Sequence, residues 1–514
     1  MMKRFEYDKI PPVKVTEGLL KGYLYDDIYI FKGVPYAKAK RFHMPEKATP
    51  WEGIRSATTY GYICPQTADI LGDELMTAHR LWYQDENCLN LNIWTPSLDK
   101  NANKPVLVWL HGGGYVVGSA IEQLVYDGHN LSKFGDAVVV SINQRVGMLG
   151  YLDLSKYGEQ YANSCNAGHA DLVAALQWIR NNIAAFGGNP DNVTLFGQSG
   201  GGMKIVDLLQ IPAADGLFHK AVVMCGVNKG NISPVCMDDG SILAETILQE
   251  LNISPEHVEE LEKLPYTMLL TGYQKHLFEF YVKGYGGSPV KNDFFYGNPL
   301  VYGLREHAYK IPLLIGSVLC EFDPWLSADD RNNMPESELI KKVAGKYGEH
   351  AQQVIQTFKE AYPDKNPVNV IAIDRAIRPE ALKFAKMHAE GRQENTYLYN
   401  FTPTFNYCNQ KAAWHCSDIP FFFHNTELAE VSHIEDVTDR LEAQVAGSLI
   451  AFAKTGNPNH SEIPDWPHVT SEATPTMIFD KACEVRYNYD DKLYKLIDSI
   501  LPPFSNLDLA GDRI

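Results

Sequence analysis

Three nearly continuous apolar runs mark the middle of the chain: PVLVWL (105–110), AVVVSI (137–142) and VTLF (193–196). Runs of this length without polar alternation fit strands buried on both faces, as in a parallel sheet covered by helices. Between the second and third lies ADLVAALQWIRNNIAAFG (170–187), in which Leu172, Leu176, Ile179 and Ile183 recur at helical spacing. Gly187 stands where such a helix would stop. Strand, helix and strand in that order predict an α/β sheet. Upstream, the alternation over 19–31 predicts strands of an antiparallel edge. Downstream, 240–252 and 336–362 read as more polar helices, with a short apolar strand, PLLIGS (312–317), between them. No linker composition interrupts the pattern. One domain over 1–514 is expected, with helical, lid-like excursions around 230–300 and 330–395.

The totals remove several function classes. A net charge of −17 argues against nucleic acid as a partner, because phosphate binding needs a basic surface. The opening MMKRFEYDKIPPVKV has two basic residues, but Glu6, Asp8 and Lys9 follow where a signal peptide needs an apolar run. No stretch approaches the roughly 20 apolar residues of a membrane span. The final LAGDRI is no hydrophobic anchor. These features lead us to expect a cytoplasmic protein with no membrane span. The nine cysteines form no C-x-x-C pair and no zinc-like spacing, so free thiols and no metal are expected.

The chemistry concentrates at FGQSGGG (196–202). Residues 197–201 satisfy G-x-S-x-G, after a buried-type strand and before the helix-compatible MKIVDLLQI. That context defines a nucleophile elbow, in which Ser199 sits on a sharp turn above the sheet. Side chains two residues either side would collide there, which accounts for Gly197 and Gly201. A phosphate-binding loop is excluded, because Met203 intervenes before Lys204 and Ile205 follows where Ser or Thr is required. GYGGS (284–288) lacks the strand–helix setting of a dinucleotide site. A second motif, VWLHGGG (108–114), is a strand running into glycines. Such a loop supplies backbone N–H groups to a developing oxyanion. An elbow also needs an acid and a histidine downstream. Seven histidines follow residue 321; His350 and His388 lie in polar helix-like segments and are expected at the surface.

These residues resemble the carboxylesterase type-B family of α/β-hydrolases, the cholinesterase-like serine esterases. The similarity extends over FKGVPYAKAKRF (31–42), DENCLNLNIWTP (85–96) and 166–202, and covers the chain from about Gly18 to the 480s. Bacterial para-nitrobenzyl-esterase-like members are the nearest in pattern. The resemblance implies an α/β-hydrolase fold and an ester hydrolase without cofactor, acting on a small-molecule ester. An amidase or peptidase with the same triad, or a non-catalytic binding protein on the same fold, are the alternatives. It further implies Ser199 as nucleophile, His415 in AAWHCSDIPFFF as base, and Glu321 in GSVLCEFDPW as acid, with Asp323 as runner-up. Backbone N–H groups of Gly113, Gly114 and Gly200 would form the oxyanion hole, with Gln198 and Asp418 beside the triad. Two departures stand out: the family usually has Glu at 198 and Ala at 200. Cys64 and Cys88 match positions that are disulfide-bonded in secreted relatives. They are expected to be adjacent, and to be thiols in a reducing compartment.

Overall fold

The computed structural model describes residues 4–66, 79–80, 82–230, 239–283, 287–322, 326–391 and 394–505, leaving aside the side chains of 277–283. Among these, twelve strands form one sheet. Its first edge is antiparallel: Phe5–Glu6, Tyr23–Tyr25, Ile28–Pro35 and Asn90–Thr95 pair in that order. Val138–Ile142 pairs antiparallel with Asn90–Thr95 and begins the parallel part. That part continues through Lys104–Leu110, Gly188–Gln198, Lys220–Met224, Leu313–Val318, Thr396–Phe401 and Pro475–Phe479. Glu484–Tyr487 closes the far edge antiparallel.

The apolar runs lie where both faces are covered. Along Lys104–Leu110, Val106, Val108 and Leu110 enter one core with Leu172, Leu176 and Ile179 of the helix Ala167–Asn182 and with Ile183 just after it. Leu107 and Trp109 enter the opposite core, with Phe196, Phe421–Phe423 and Leu449 of the helix Thr438–Thr455. Alternate strand residues point to opposite faces, so an unbroken apolar run is what two covered faces require. Each large side chain withdrawn in this way contributes roughly 1.5–3 kcal/mol of transfer free energy. The helix before the elbow strand tightens into a 3-10 turn, Ile183–Phe186, and stops at Gly187 with φ 74°.

Three sequence expectations change. The alternation over 19–31 divides between two sheets. Tyr23–Tyr25 and Ile28–Pro35 join the main sheet, whereas Gly18–Lys21 pairs with Val13–Val15 and Ile54–Ser56 in a small separate one. The helical pattern over 336–362 is two helices, Glu336–Tyr347 and Ala351–Ala361, broken at Gly348 (φ 57°). His388 is buried, not at the surface. Its Nδ1 meets Thr396 Oγ1 at 2.7 Å and its Nε2 the Ala308 carbonyl at 3.0 Å, and burial lowers its pKa to about 4. His350 is exposed, as expected. Among the described residues no helix is long and apolar enough to cross a membrane.

Candidate active site

The strand Gly188–Gln198 ends directly at Ser199, and the helix Gly200–Leu208 begins directly after it. Ser199 has φ 55° and ψ −124°, a conformation costly for a residue with a side chain. Its surroundings over-determine that turn. The Ser199 N–H donates to the Met224 carbonyl at 2.9 Å, and the Ser199 carbonyl accepts from Met203 N–H at 2.9 Å. There is no room for side chains at the flanking glycines. A Cβ on Gly197 would lie 2.7 Å from the Gly201 carbonyl carbon, and one on Gly201 would lie 1.9 Å from the Leu110 oxygen. The strand–turn–helix expectation for 196–202 is what the chain adopts.

Glu321 and His415 come together from 94 positions apart. Glu321 Oε2 lies 2.6 Å from His415 Nδ1, and the two residues are 1% and 6% exposed. The backbone registers them as well: His415 N–H donates to the Glu321 carbonyl at 2.9 Å, and Cys320 bridges Trp414. Val318 N–H donates to Glu321 Oε1 at 3.0 Å, so the strand Leu313–Val318 aims the carboxylate. Phe322 covers the imidazole at 4.7 Å between ring centroids. With Nδ1 bonded to a carboxylate, Nε2 is the basic nitrogen of His415. Asp323, the alternative acid, lies outside the described residues.

Gln198 meets this pair from the elbow. Its Nε2 is 3.4 Å from each ring nitrogen of His415, and its Oε1 accepts from Cys416 Sγ at 3.1 Å. Behind Glu321 stands a further buried set. Asp418 Oδ2 accepts from Tyr399 Oη at 2.8 Å, with Cys225 Sγ at 3.9 Å. Burial first, and then the Glu321 carboxylate, push Asp418 up to about 7; the same two causes do so for Asp374. Cys225, Glu321 and His415 place donor atoms within 4.8 Å of one another, a spacing that could hold a cation. The Glu321–His415 bond already engages two of the three.

The strand Lys104–Leu110 runs into the glycine loop, where Gly113 and Gly114 have φ 80° and 59°. Gly114 approaches Gly200 so closely that a Cβ on Gly200 would lie 2.3 Å from the Gly114 oxygen and 2.4 Å from its nitrogen. This contact gives the Ala-to-Gly departure at 200 a physical reason. The sequence reading missed several groups that hold this loop. His111 Nδ1 donates to the Gly112 carbonyl at 2.9 Å, and Lys204 Nζ donates to the His111 carbonyl at 3.1 Å. Tyr115 Oη donates to Asp207 Oδ2 at 2.7 Å, with His169 Nε2 3.1 Å from the same oxygen. Lys204 entered the sequence reading only as a mismatch to a phosphate loop. Its one legible signal was a lysine between apolar neighbours, Met203 and Ile205.

Cys64 and Cys88 are both buried free thiols. A hydrogen bond to Cys64, reinforced by burial, holds the Cys88 thiol well above its ordinary range. Two surface cavities of about 510 and 590 Å³ lie around His129 and His424, apart from Ser199 and His415.

A family model described as "Carboxylesterase family" matches residues 9–496. The chain is 31% identical over 511 residues to the para-nitrobenzyl esterase of Bacillus subtilis, covering 95% of this chain and 98% of that protein. It is 31% identical over 500 residues to the phenmedipham hydrolase of Pseudarthrobacter oxydans, covering 92% and 96%. Among solved structures, it is similar to an esterase from the anaerobe Clostridium hathewayi, described as able to hydrolyse aliphatic aromatic polyesters. The TM-score is 0.92 at 45% identity, over 97% of this chain and all of that one.

Proposed function

We propose, for this chain, which belongs to the carboxylesterase family and is an ester hydrolase of the α/β-hydrolase fold, a two-step mechanism through Ser199, His415 and Glu321. Ser199 Oγ attacks the carbonyl carbon of the ester and gives its proton to His415 Nε2. Glu321 keeps the ring oriented through Nδ1 and stabilises the imidazolium. The carbonyl oxygen becomes an oxyanion, received by the N–H groups of Gly113, Gly114 and Gly200. Collapse breaks the ester C–O bond, and the alcohol leaves with the proton from His415. Water then attacks the acyl-enzyme with His415 again as base, releasing the acid and restoring Ser199.

The observation that carries this reading is the buried 2.6 Å Glu321–His415 pair, met by Gln198 at 3.4 Å, the residue directly before a serine held on a strained turn. The similarity to the Clostridium hathewayi esterase supports a substrate class as well: esters that contain both aliphatic and aromatic units. The direct test is Ser199→Ala, which should lower kcat on a p-nitrophenyl ester by roughly 10³-fold or more. A folded variant with near wild-type turnover would remove Ser199 from the mechanism. A soluble aromatic diester, followed by release of the aromatic acid, tests the substrate class separately.

A further inference from the structure

The glycine loop is useful only if its N–H groups face the serine, and glycines on both sides of a peptide make it easy to turn over. In a trans peptide the C=O and the following N–H point in opposite directions. What holds each carbonyl therefore aims the next amide. Three successive carbonyls of this loop are held. The His111 carbonyl accepts from Lys204 Nζ at 3.1 Å, and the Gly112 carbonyl from His111 Nδ1 at 2.9 Å. The Gly113 carbonyl accepts from both Val116 N–H and Val117 N–H at 3.1 Å. The amides of Gly112, Gly113 and Gly114 are turned away from these partners.

We propose that Lys204 is a positioning residue for the oxyanion hole: from the same helix that Ser199 opens, it fixes the His111–Gly112 peptide from which the next two peptides, carrying the Gly113 and Gly114 amides, take their orientation. This rests on the triad reading above and adds a residue to it. Lys204 is fully buried, and among the described residues no carboxylate is bonded to it, an uncommon setting for a lysine. Burial lowers its pKa to about 7. It also acts on the second link. Burial first, and then Lys204, hold His111 neutral. Since the Gly112 oxygen can only accept, the ring proton is on Nδ1, leaving Nε2 to accept from Gln144 Nε2 at 2.9 Å. Tyr115, the residue after the glycines, is bonded to Asp207, three positions after Lys204. The loop is thus fastened twice to the helix that begins at Gly200.

The test compares Lys204→Met, which keeps length and loses the donor, with Lys204→Gln, which keeps a neutral donor. Each is measured on a p-nitrophenyl ester and with a trifluoromethyl ketone, whose adduct on a serine carries the oxyanion. Lys204→Met should lower kcat roughly 10²-fold, the scale of one lost oxyanion donor. Ketone affinity should fall with it, while KM stays within threefold and Tm does not drop. Lys204→Gln should recover part of both losses. Unchanged kcat and ketone affinity in Lys204→Met would overturn the proposal. So would equal losses in both variants that track a lower Tm and a raised KM, since those belong to a structural role. Fluorophosphonate labelling of Ser199 in every variant keeps the two readings apart: label elsewhere refutes the triad, whereas label at Ser199 with an unaffected Lys204→Met refutes only this inference.

Discussion

Gly200→Ala is the sharpest single perturbation of the proposed site, because it restores the residue usual in the family. A Cβ at 200 would lie 2.3 Å from the Gly114 oxygen, 2.4 Å from its nitrogen and 2.5 Å from its α-carbon. Ordinary contact begins near 3.4 Å. The obstacle is backbone, so the loop carrying Gly113 and Gly114 has to withdraw by about 1 Å in an interior packed like a crystal. Two energetic effects oppose each other in stability. Overpacking costs typically 1–3 kcal/mol, and replacing glycine within a helix returns up to about 1 kcal/mol. Folding should therefore survive. Catalysis should not, because a misplacement of 1 Å at a reacting centre can cost about 10²-fold. We expect kcat on a p-nitrophenyl ester to fall roughly 10²-fold, with KM within about threefold and Ser199 still labelled by a fluorophosphonate. A variant with kcat within twofold of wild type would refute the argument, showing that the loop retracts freely and that Gly200 has no bearing on the oxyanion hole.

Two further changes test the surroundings of His415, and a third tests the Cys64 and Cys88 thiols. In Gln198→Glu, a carboxylate 3.4 Å from the imidazole would attract its proton by up to about 5 kcal/mol at an effective dielectric of 20. Allowing for the desolvation of the new carboxylate, the acid limb of the pH–kcat/KM profile should still move upward by at least about one unit; an unmoved limb would sink the idea that position 198 sets basicity. Asp418, pushed up to about 7 when folded, keeps a proton that the unfolded chain loses near 3.8. Its stability contribution is therefore complete below pH 4 and lost as the pH rises through about 7, so Asp418→Asn should flatten that part of the denaturation-midpoint profile. A Cys64→Ser/Cys88→Ser protein should fold and keep its activity, while oxidation of wild type in vitro should close a loop of about 25 residues, worth roughly 3.5 kcal/mol in the chain-entropy picture; a double variant that fails to fold would show the pair to be structurally required.

What the sequence disclosed follows from what each feature depends on. The central strands were legible because burial on both faces leaves an unbroken apolar run, as in Val106–Leu110. The elbow was legible because local sterics demand glycine at 197 and 201 whatever lies elsewhere. Glu321 and His415 came from the family resemblance, since no periodicity links residues 94 positions apart. Lys204 was overlooked for a similar reason: its partner, the His111 carbonyl, lies 93 positions away and leaves no mark on the neighbouring sequence. His388 was misjudged because its helix is polar overall, and one buried histidine on such a helix is fixed by two contacts outside it, Thr396 on the next strand and a carbonyl 80 positions away. The break at Gly348 needed only a left-handed φ, which a glycine inside a helical pattern permits without announcing it.

The departure at 198 gains meaning from this buried polar group. Asp374 and Asp418 already gather two buried carboxyls near Glu321, the acid bonded to His415, and both are pushed up to about 7 partly by Glu321. An acid at 198 would sit about as near to both nitrogens of the His415 ring as the amide does, at 3.4 Å. Like charges in a low dielectric raise one another's pKa, so a carboxylate at 198 would lose part of its hold on the imidazolium to repulsion from Glu321. A neutral amide at 198 avoids that repulsion and leaves Glu321 as the acid bonded to His415. Its Oε1 remains free to accept from Cys416, so the residue still ties the elbow to the histidine loop. Gln198 and Gly200, the two departures flanking Ser199, are then separate adjustments. One suits the carboxyl-rich pocket behind His415, and the other suits the close approach of the glycine loop.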